Sequence, residues 1–290
     1  MSLVGAQVVV AWFALVVVAG LYGGALFGLL VRAGAGPQPA PVRTGLARLY
    51  RVFATLALVL VPIGLLVAIA TTSGTSLGEA LGLITTTMRE TQAGRLWGVR
   101  VVLTLALFSA AWMPLESRAR EGAIAVLGAL WLLARAMVSH AVDAGPLAVA
   151  VYAVHMLAAG LWFGAIVAFT FGASQMGGPE WVAVALQRLW RVTAWCAAVV
   201  VLSGFLVAYG VLHLNFADLG HSRYGHTLVA KITLFTIVVG YGAYVHHRRA
   251  RSVAGESNQF DVVRAIGINV ILLIGVIEFA ALLAHIQPPH

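Results

Sequence analysis

The sequence has few charged residues, a single cysteine and none of the common motifs of soluble enzymes. Only 10% of its 290 residues are charged and 61% are hydrophobic, whereas a soluble globular domain carries about 25% charged residues. This shortage of charge excludes a soluble globular enzyme. The one cysteine, Cys196, excludes an internal disulfide and a CxxC metal or redox motif. No Walker motif is present, so the sequence offers no nucleotide site for an ATP-driven pump.

Eight apolar runs are long enough to cross a bilayer, which takes about 20 mostly apolar residues. They cover residues 7–31, 51–71, 96–115, 122–141, 147–172, 190–213, 227–247 and 262–286. No polar stretch between them is long enough for a separate soluble domain. We therefore expect an all-α membrane helix bundle that forms one domain over residues 1–290. Residues 77–88 are expected to form an amphipathic helix on the outer surface.

Basic residues lie mostly on one side of the predicted bundle. The connections that follow spans one, three, five and seven hold 12 of the 18 basic residues, and the opposite loops hold three. Because positive loops stay in the cytoplasm, both termini are predicted to lie outside it. The net charge of +8 then reflects anchoring at an anionic membrane face, and no nucleic acid partner is expected.

The two halves of the chain resemble each other. The matched positions are Arg48 to Arg51 with Arg188 to Arg191, Ala19 to Ala25 with Ala159 to Ala165, Arg100 with Lys231, and His140 with His285. Each half contains four spans, an even number, so the halves share one orientation. The sequence therefore predicts a parallel repeat of two four-helix halves, residues 1–143 and 144–290.

Histidines cluster at the outer end, which holds seven of the nine. His140 and His285 close spans four and eight, whereas His155 lies about two turns inside span five. Imidazole binds copper, zinc and iron, and thioether sulfur favours Cu(I). Met137 precedes His140 by three residues, so both can share one helical face. This pattern indicates a metal or haem site near the outer face, with ordinary interfacial histidines as the alternative.

Four intramembrane charges accompany the histidines. Glu278 and Arg135 are the deepest, and each would cost about 2.5–3.5 kcal/mol at a helix centre if left alone. They are expected either to pair and fix the bundle or to line a proton or ion path. Arg100 and Lys231 lie near the outer ends of spans three and seven, where they are expected to extend toward headgroups or to hold haem propionates.

Several segments resemble the CopD copper-resistance family. They are Tyr152 to Gly164, Arg188 to Arg191 with the span that follows, Tyr224 to His226 with Lys231, and Ile277 to Pro289. The similarity covers about residues 145–290, and the first half matches in architecture only. It implies a bacterial inner-membrane protein that moves copper from periplasm to cytoplasm, beside a periplasmic copper carrier. The residues carried over are His155, Lys231, Glu278 and the outer-face histidines.

Two functions remain open at this point. In the first, the protein is a copper permease and not an enzyme. Its copper ligands are His155, His140, His285 and Met137, with His213, His226 and Met156 as further candidates. In the second, the protein is a haem-b oxidoreductase, because a membrane four-helix bundle can hold haem between two histidines. His155 and one outer-face histidine would then be the axial ligands.

The predicted orientation can be tested by cysteine accessibility. A cysteine at Ser222, in an outer loop, is expected to react with an impermeant reagent added from the periplasm. A cysteine at Gly255, in a cytoplasmic loop, is expected to stay unlabelled. The reverse pattern would overturn the orientation.

Overall fold

A computed structural model describes residues 2–35, 37–175, 179–212, 220–252 and 259–286. In these ranges the chain forms nine α-helices and one 3-10 turn, with no strand. They are α1 (Leu3–Ala35), α2 (Ala40–Ser73), α3 (Leu77–Glu90), α4 (Gln92–Trp112), α5 (Ser117–Ala136), the 3-10 turn (His140–Val142), α6 (Pro146–Ser174), α7 (Pro179–Leu212), α8 (Arg223–Ser252) and α9 (Gln259–Leu283). The predicted all-α class is confirmed.

Seven of the described helices are long and apolar enough to span a membrane, namely all but α3 and α5. The chain is therefore a multi-pass membrane protein in contact with the lipid bilayer. Helix α5 takes the place of the predicted fourth span, but it carries Arg118, Arg120, Glu121 and Arg135. It nevertheless belongs to the bundle, because it packs against α1 and α4.

Several helix ends differ from the predicted spans. Helix α2 begins at Ala40, well before residue 51, with Pro39 at its N-cap. A proline at a helix start costs nothing because its missing N–H has no helical partner there. Helix α5 ends at Ala136, so His140 lies in the 3-10 turn beyond an extended Ser139. The expectation that Met137 and His140 share one helical face is therefore wrong.

The short helix α3 confirms the amphipathic helix predicted over residues 77–88. A capping box starts it: the Ser76 side chain accepts from the Glu79 N–H, and the Glu79 carboxylate accepts from the Ser76 N–H. The pKa of Glu79 is lowered because the N–H and the hydroxyl of Ser76 both donate to its carboxylate. The apolar residues of α3, Leu83, Ile84 and Met88, pack against α2 and against Trp97 of α4.

Helices α1 and α6 cross at the centre of the bundle with their backbones almost touching. A Cβ on Gly23 would lie 2.1 Å from the carbonyl oxygen of Gly160, and one on Gly164 would lie 2.4 Å from the backbone nitrogen of Gly24. Only glycine permits this approach, as in other small-residue membrane contacts. The remaining helices are arranged around this pair, with α2 and α5 against α1 and α7 and α9 against α6.

This crossing predicts the effect of a single methyl group. We expect Gly23→Ala to destabilise the bundle by about 1–3 kcal/mol, because the new Cβ overlaps the α6 backbone. The melting temperature of the purified protein in detergent is the measurement. The control is Gly240→Ala on α8, where a Cβ has nothing described within 4 Å. Equal melting temperatures for the two variants would contradict the role of the crossing.

Candidate functional site

His155 on α6 is held by a hydrogen-bond chain from α7. Its Nδ1 lies 3.1 Å from the Oγ of the buried Ser203, and the Ser203 hydroxyl donates to the carbonyl of Val199. Because a hydroxyl has one hydrogen, it accepts from the Nδ1–H of His155. With Nδ1 as the donor, a neutral ring carries its lone pair on Nε2, and the Val200 carbonyl is a further hydrogen-bond acceptor beside the imidazole. Metal-binding histidines are oriented in this way, by donating their other N–H to an acceptor.

Three other helical residues shape the surroundings of His155. The Tyr152 ring is stacked with the imidazole at 6.4 Å and 9°. Gly204 on α7 leaves room beside the ring, since a Cβ there would lie 3.3 Å from Cε1. Lys231 on α8 interacts electrostatically with the imidazole. A ligand at Nε2 would therefore bind beside a positive charge.

His140 and His285 interact electrostatically at the end of the bundle where α5 and α9 terminate. The Nδ1 of His285 lies 2.8 Å from the Ala281 carbonyl, which can only accept, so Nε2 again keeps its lone pair. Burial lowers the pKa of His285, and the nearby charges of Arg135 and His140 lower it further. The Nε2 of His140 is buried and has no hydrogen-bond partner in the described structure.

The other candidate ligands are more scattered. Met137 is exposed at the end of α5. Met156 is buried in an apolar cluster with Trp131 and Leu132. His226 is exposed and its Nε2 donates to the Gly220 carbonyl at 2.9 Å. His213 lies outside the described residues.

No closed metal centre is present among the described residues. Over these ranges, no group of three or more His, Cys, Asp or Glu side chains is placed to hold a metal ion. Neither His155 nor the His140–His285 pair therefore belongs to a closed ligand set within the described residues.

The charged residues depart from expectation in two places. In the described structure no ion pair joins Glu278 to Arg135, and Glu278 is exposed on α9. Arg100 does not extend toward headgroups, because it is only 2% exposed. Its guanidinium lies 3.6 Å from the ring centroid of Trp97 and 5.5 Å from that of Trp131. These cation–π contacts replace the polar headgroup as its partner.

The sequence did not predict the contacts of Ser203 and Tyr152 with His155 or the contact of Trp97 with Arg100. Two of them carry a local signal, since Tyr152 precedes His155 and Trp97 precedes Arg100 by three residues, one helical turn. Ser203 carries none, because serine is common in membrane helices and its contact with His155 depends on how α6 and α7 pack.

Comparison with protein families identifies two matches. Residues 183–283 match the model described as copper resistance protein D, and residues 1–149 match the copper resistance protein D-like, N-terminal domain. The likeness therefore extends to the first half, for which the sequence motifs gave only architecture. No curated protein and no solved structure matches the chain.

The environment of His285 predicts a pH dependence. Its pKa is lowered in the folded protein, so the unfolded chain binds a proton more readily as the pH falls through about 6.5. The folded protein should therefore be more stable above that pH, and its free energy of unfolding should decrease as the pH is lowered further. We expect the His285 imidazole to titrate below pH 6.5 by NMR, with His285→Asn identifying its signal. A titration at or above the ordinary value would contradict this environment.

Proposed function

The chain belongs to the CopD family of copper resistance proteins, and from this we propose that it is a permease that moves copper from the periplasm to the cytoplasm. Copper is the cargo. The observation that carries the proposal is the chain from His155 through Ser203 to Val199. It orients an imidazole inside a membrane helix, where ionisable side chains are costly and therefore mark candidate functional sites.

The two histidine positions support transport rather than storage. In the proposal, the His140–His285 pair meets copper at the periplasmic end and His155 receives it deeper in the bundle. Each position offers few described ligands, and an ion must bind weakly enough to leave if it is to be conducted. Lys231 beside His155 also weakens the binding of a cation. A periplasmic copper carrier would deliver the ion to the outer pair.

The proposed topology has eight spans in a bacterial inner membrane, with both termini in the periplasm. Helix α5 is added to the seven apolar helices in this arrangement and is the fourth span in chain order. Its charges lie near its two ends, with Arg118, Arg120 and Glu121 at the start and Arg135 at the finish. The apolar segment between them reaches the headgroups if the side chains of Arg118 and Arg135 extend outward. This would place the arginine-rich loops in the cytoplasm.

The crossing of α1 and α6 supports the proposed parallel repeat. The sequence match pairs Gly20 with Gly160 and Gly23 with Phe163. Gly23 faces Gly160 across the crossing, and a Cβ on Gly20 would lie 3.6 Å from the Phe163 ring. A two-fold axis along the membrane normal exchanges these two contacts, as expected if equivalent helices of the two halves meet at the axis.

A haem-b oxidoreductase is the second candidate function, and Arg100 is the observation in its favour. Its buried Nε and one terminal nitrogen have no hydrogen-bond partner in the described structure, so they fit a propionate carboxylate. A second axial histidine at the depth of His155 is harder to provide. Helices α1, α2, α5, α7 and α9 pack against α6 and none contains a histidine. The 3-10 turn that begins with His140 also contacts α6, but it lies beyond the end of α5. Copper transport therefore has the stronger support.

Copper accumulation by expressing cells tests the proposal. We expect His155→Ala to reduce uptake to the level of cells without the protein. Ser203→Ala should weaken copper binding about 10–100-fold, because the ring loses the acceptor that orients it. The matched control is His247→Ala, an exposed histidine at the other end of the bundle, which should transport normally. Equal uptake by wild type and His155→Ala, with no copper retained by the purified protein, would refute the permease.

The optical spectrum of the same purified proteins separates the two functions. Haem would give a Soret band and a sharp reduced α-band that disappear in His155→Ala. A colourless protein from haem-replete cells would remove the oxidoreductase. Metal analysis of each preparation gives the copper content.

A further inference from the structure

Four arginines surround a cavity at the end of the bundle opposite His140. The cavity holds about 450 Å³ and lies where α1 ends and where α2 and α5 begin. Its lining includes Arg32, Arg43, Arg118 and Arg120, together with Leu115, Glu116 and Ser117. This volume is within the usual range of ligand pockets.

The positive charge of the cavity is only partly neutralised. Arg32 donates to Glu121 at 2.9 Å, and Glu116 supplies one carboxylate to the lining. Arg43 and Arg118 are exposed at the mouth. The cavity thus has more guanidinium groups than carboxylates to balance them, which favours an anion.

The guanidinium of Arg120 is incompletely hydrogen-bonded over the described ranges. Its side chain is only 8% exposed, and its buried Nε has no hydrogen-bond partner in the described part of the chain. The buried Nε of Arg32 also lacks one. Leaving buried donors unpaired costs about 1–3 kcal/mol each, and two of the guanidinium groups that line the cavity are incompletely paired among the described residues.

A second cavity continues from the first along α1 and α5. It holds about 380 Å³, shares Arg32 and Arg118 with the first, and is otherwise lined by Leu29, Ala33 and Gly122. Leu29 and Gly122 lie toward the membrane interior from the arginines, whereas Ala33 lies at the end of α1 beside Arg32. The arrangement therefore joins a cationic chamber to a largely apolar groove.

We propose that the arginine cavity binds a phosphate group, namely the headgroup of an anionic phospholipid whose acyl chain lies in the adjoining groove. Guanidinium groups bind phosphate oxygens through paired N–H donors. The N-terminus of α5, beside Ser117, adds the partial positive charge of a helix start. The bound lipid would join the ends of α1, α2 and α5, which carry the four arginines.

Native mass spectrometry of the full-length protein in detergent tests this site, with phosphatidylglycerol and phosphatidylcholine as the two probes. We expect phosphatidylglycerol to bind more tightly than phosphatidylcholine. Arg43→Gln and Arg118→Gln should each weaken phosphatidylglycerol binding about fivefold, the usual effect of one basic residue on an anionic lipid. The matched control is Arg48→Gln, because Arg48 is exposed on the same helix as Arg43 but does not line the cavity.

A second arm separates a lipid headgroup from free phosphate. Inorganic phosphate is added to the delipidated protein and the melting temperature is followed. If it stabilises wild type more than Arg118→Gln while the two lipids bind equally, the site takes free phosphate and the lipid assignment is wrong. If neither probe distinguishes wild type from Arg118→Gln, or if Arg48→Gln loses as much lipid binding, the site itself is refuted.

Discussion

The contact between the backbones of α1 and α6 determines how the other helices are placed. Lipid tails are as apolar as leucine, so membrane helices associate through close packing rather than through removal of apolar surface from water. Four glycines, Gly23, Gly24, Gly160 and Gly164, allow that packing here. Tyr22 fills the adjacent groove, where it lies against both Gly128 of α5 and Gly160 of α6.

The site follows from this packing, because α6 has α1 on one face and α7 on another. The face toward α7 carries His155, which finds its acceptor in Ser203. In a hydrocarbon environment an unpaired imidazole N–H would be costly, so the serine both satisfies the ring and fixes which nitrogen keeps its lone pair. Helix α5 separates the end of the bundle that carries His140 from the end that carries Arg118 and Arg120.

Hydropathy predicted the helices well because the rule behind it is local: a segment in hydrocarbon must satisfy its backbone hydrogen bonds within itself. It could not predict the start of α2 at Ala40 or the end of α5 at Ala136, since these ends depend on caps and turns rather than on apolar length. The expectation that Arg100 extends toward headgroups failed for a different reason. The guanidinium lies nearest to Trp97 of its own helix and is also covered by Trp131 of α5, and the sequence pattern does not say that α5 is a neighbour.

In the proposed copper sites, the charges near the histidines would act unequally on ions of different valence. Lys231 acts on His155, and Arg135 acts on His285. Coulomb repulsion grows in proportion to the charge of the bound ion, so a monovalent copper ion meets half the opposition that a divalent ion meets at the same place. Because exposed Glu278 pairs with neither arginine nor lysine in the described structure, no ion pair with that carboxylate offsets the repulsion. If copper binds at these imidazole nitrogens as proposed, their cationic neighbours would oppose a divalent ion more strongly than a monovalent one, without any change in the ligands themselves.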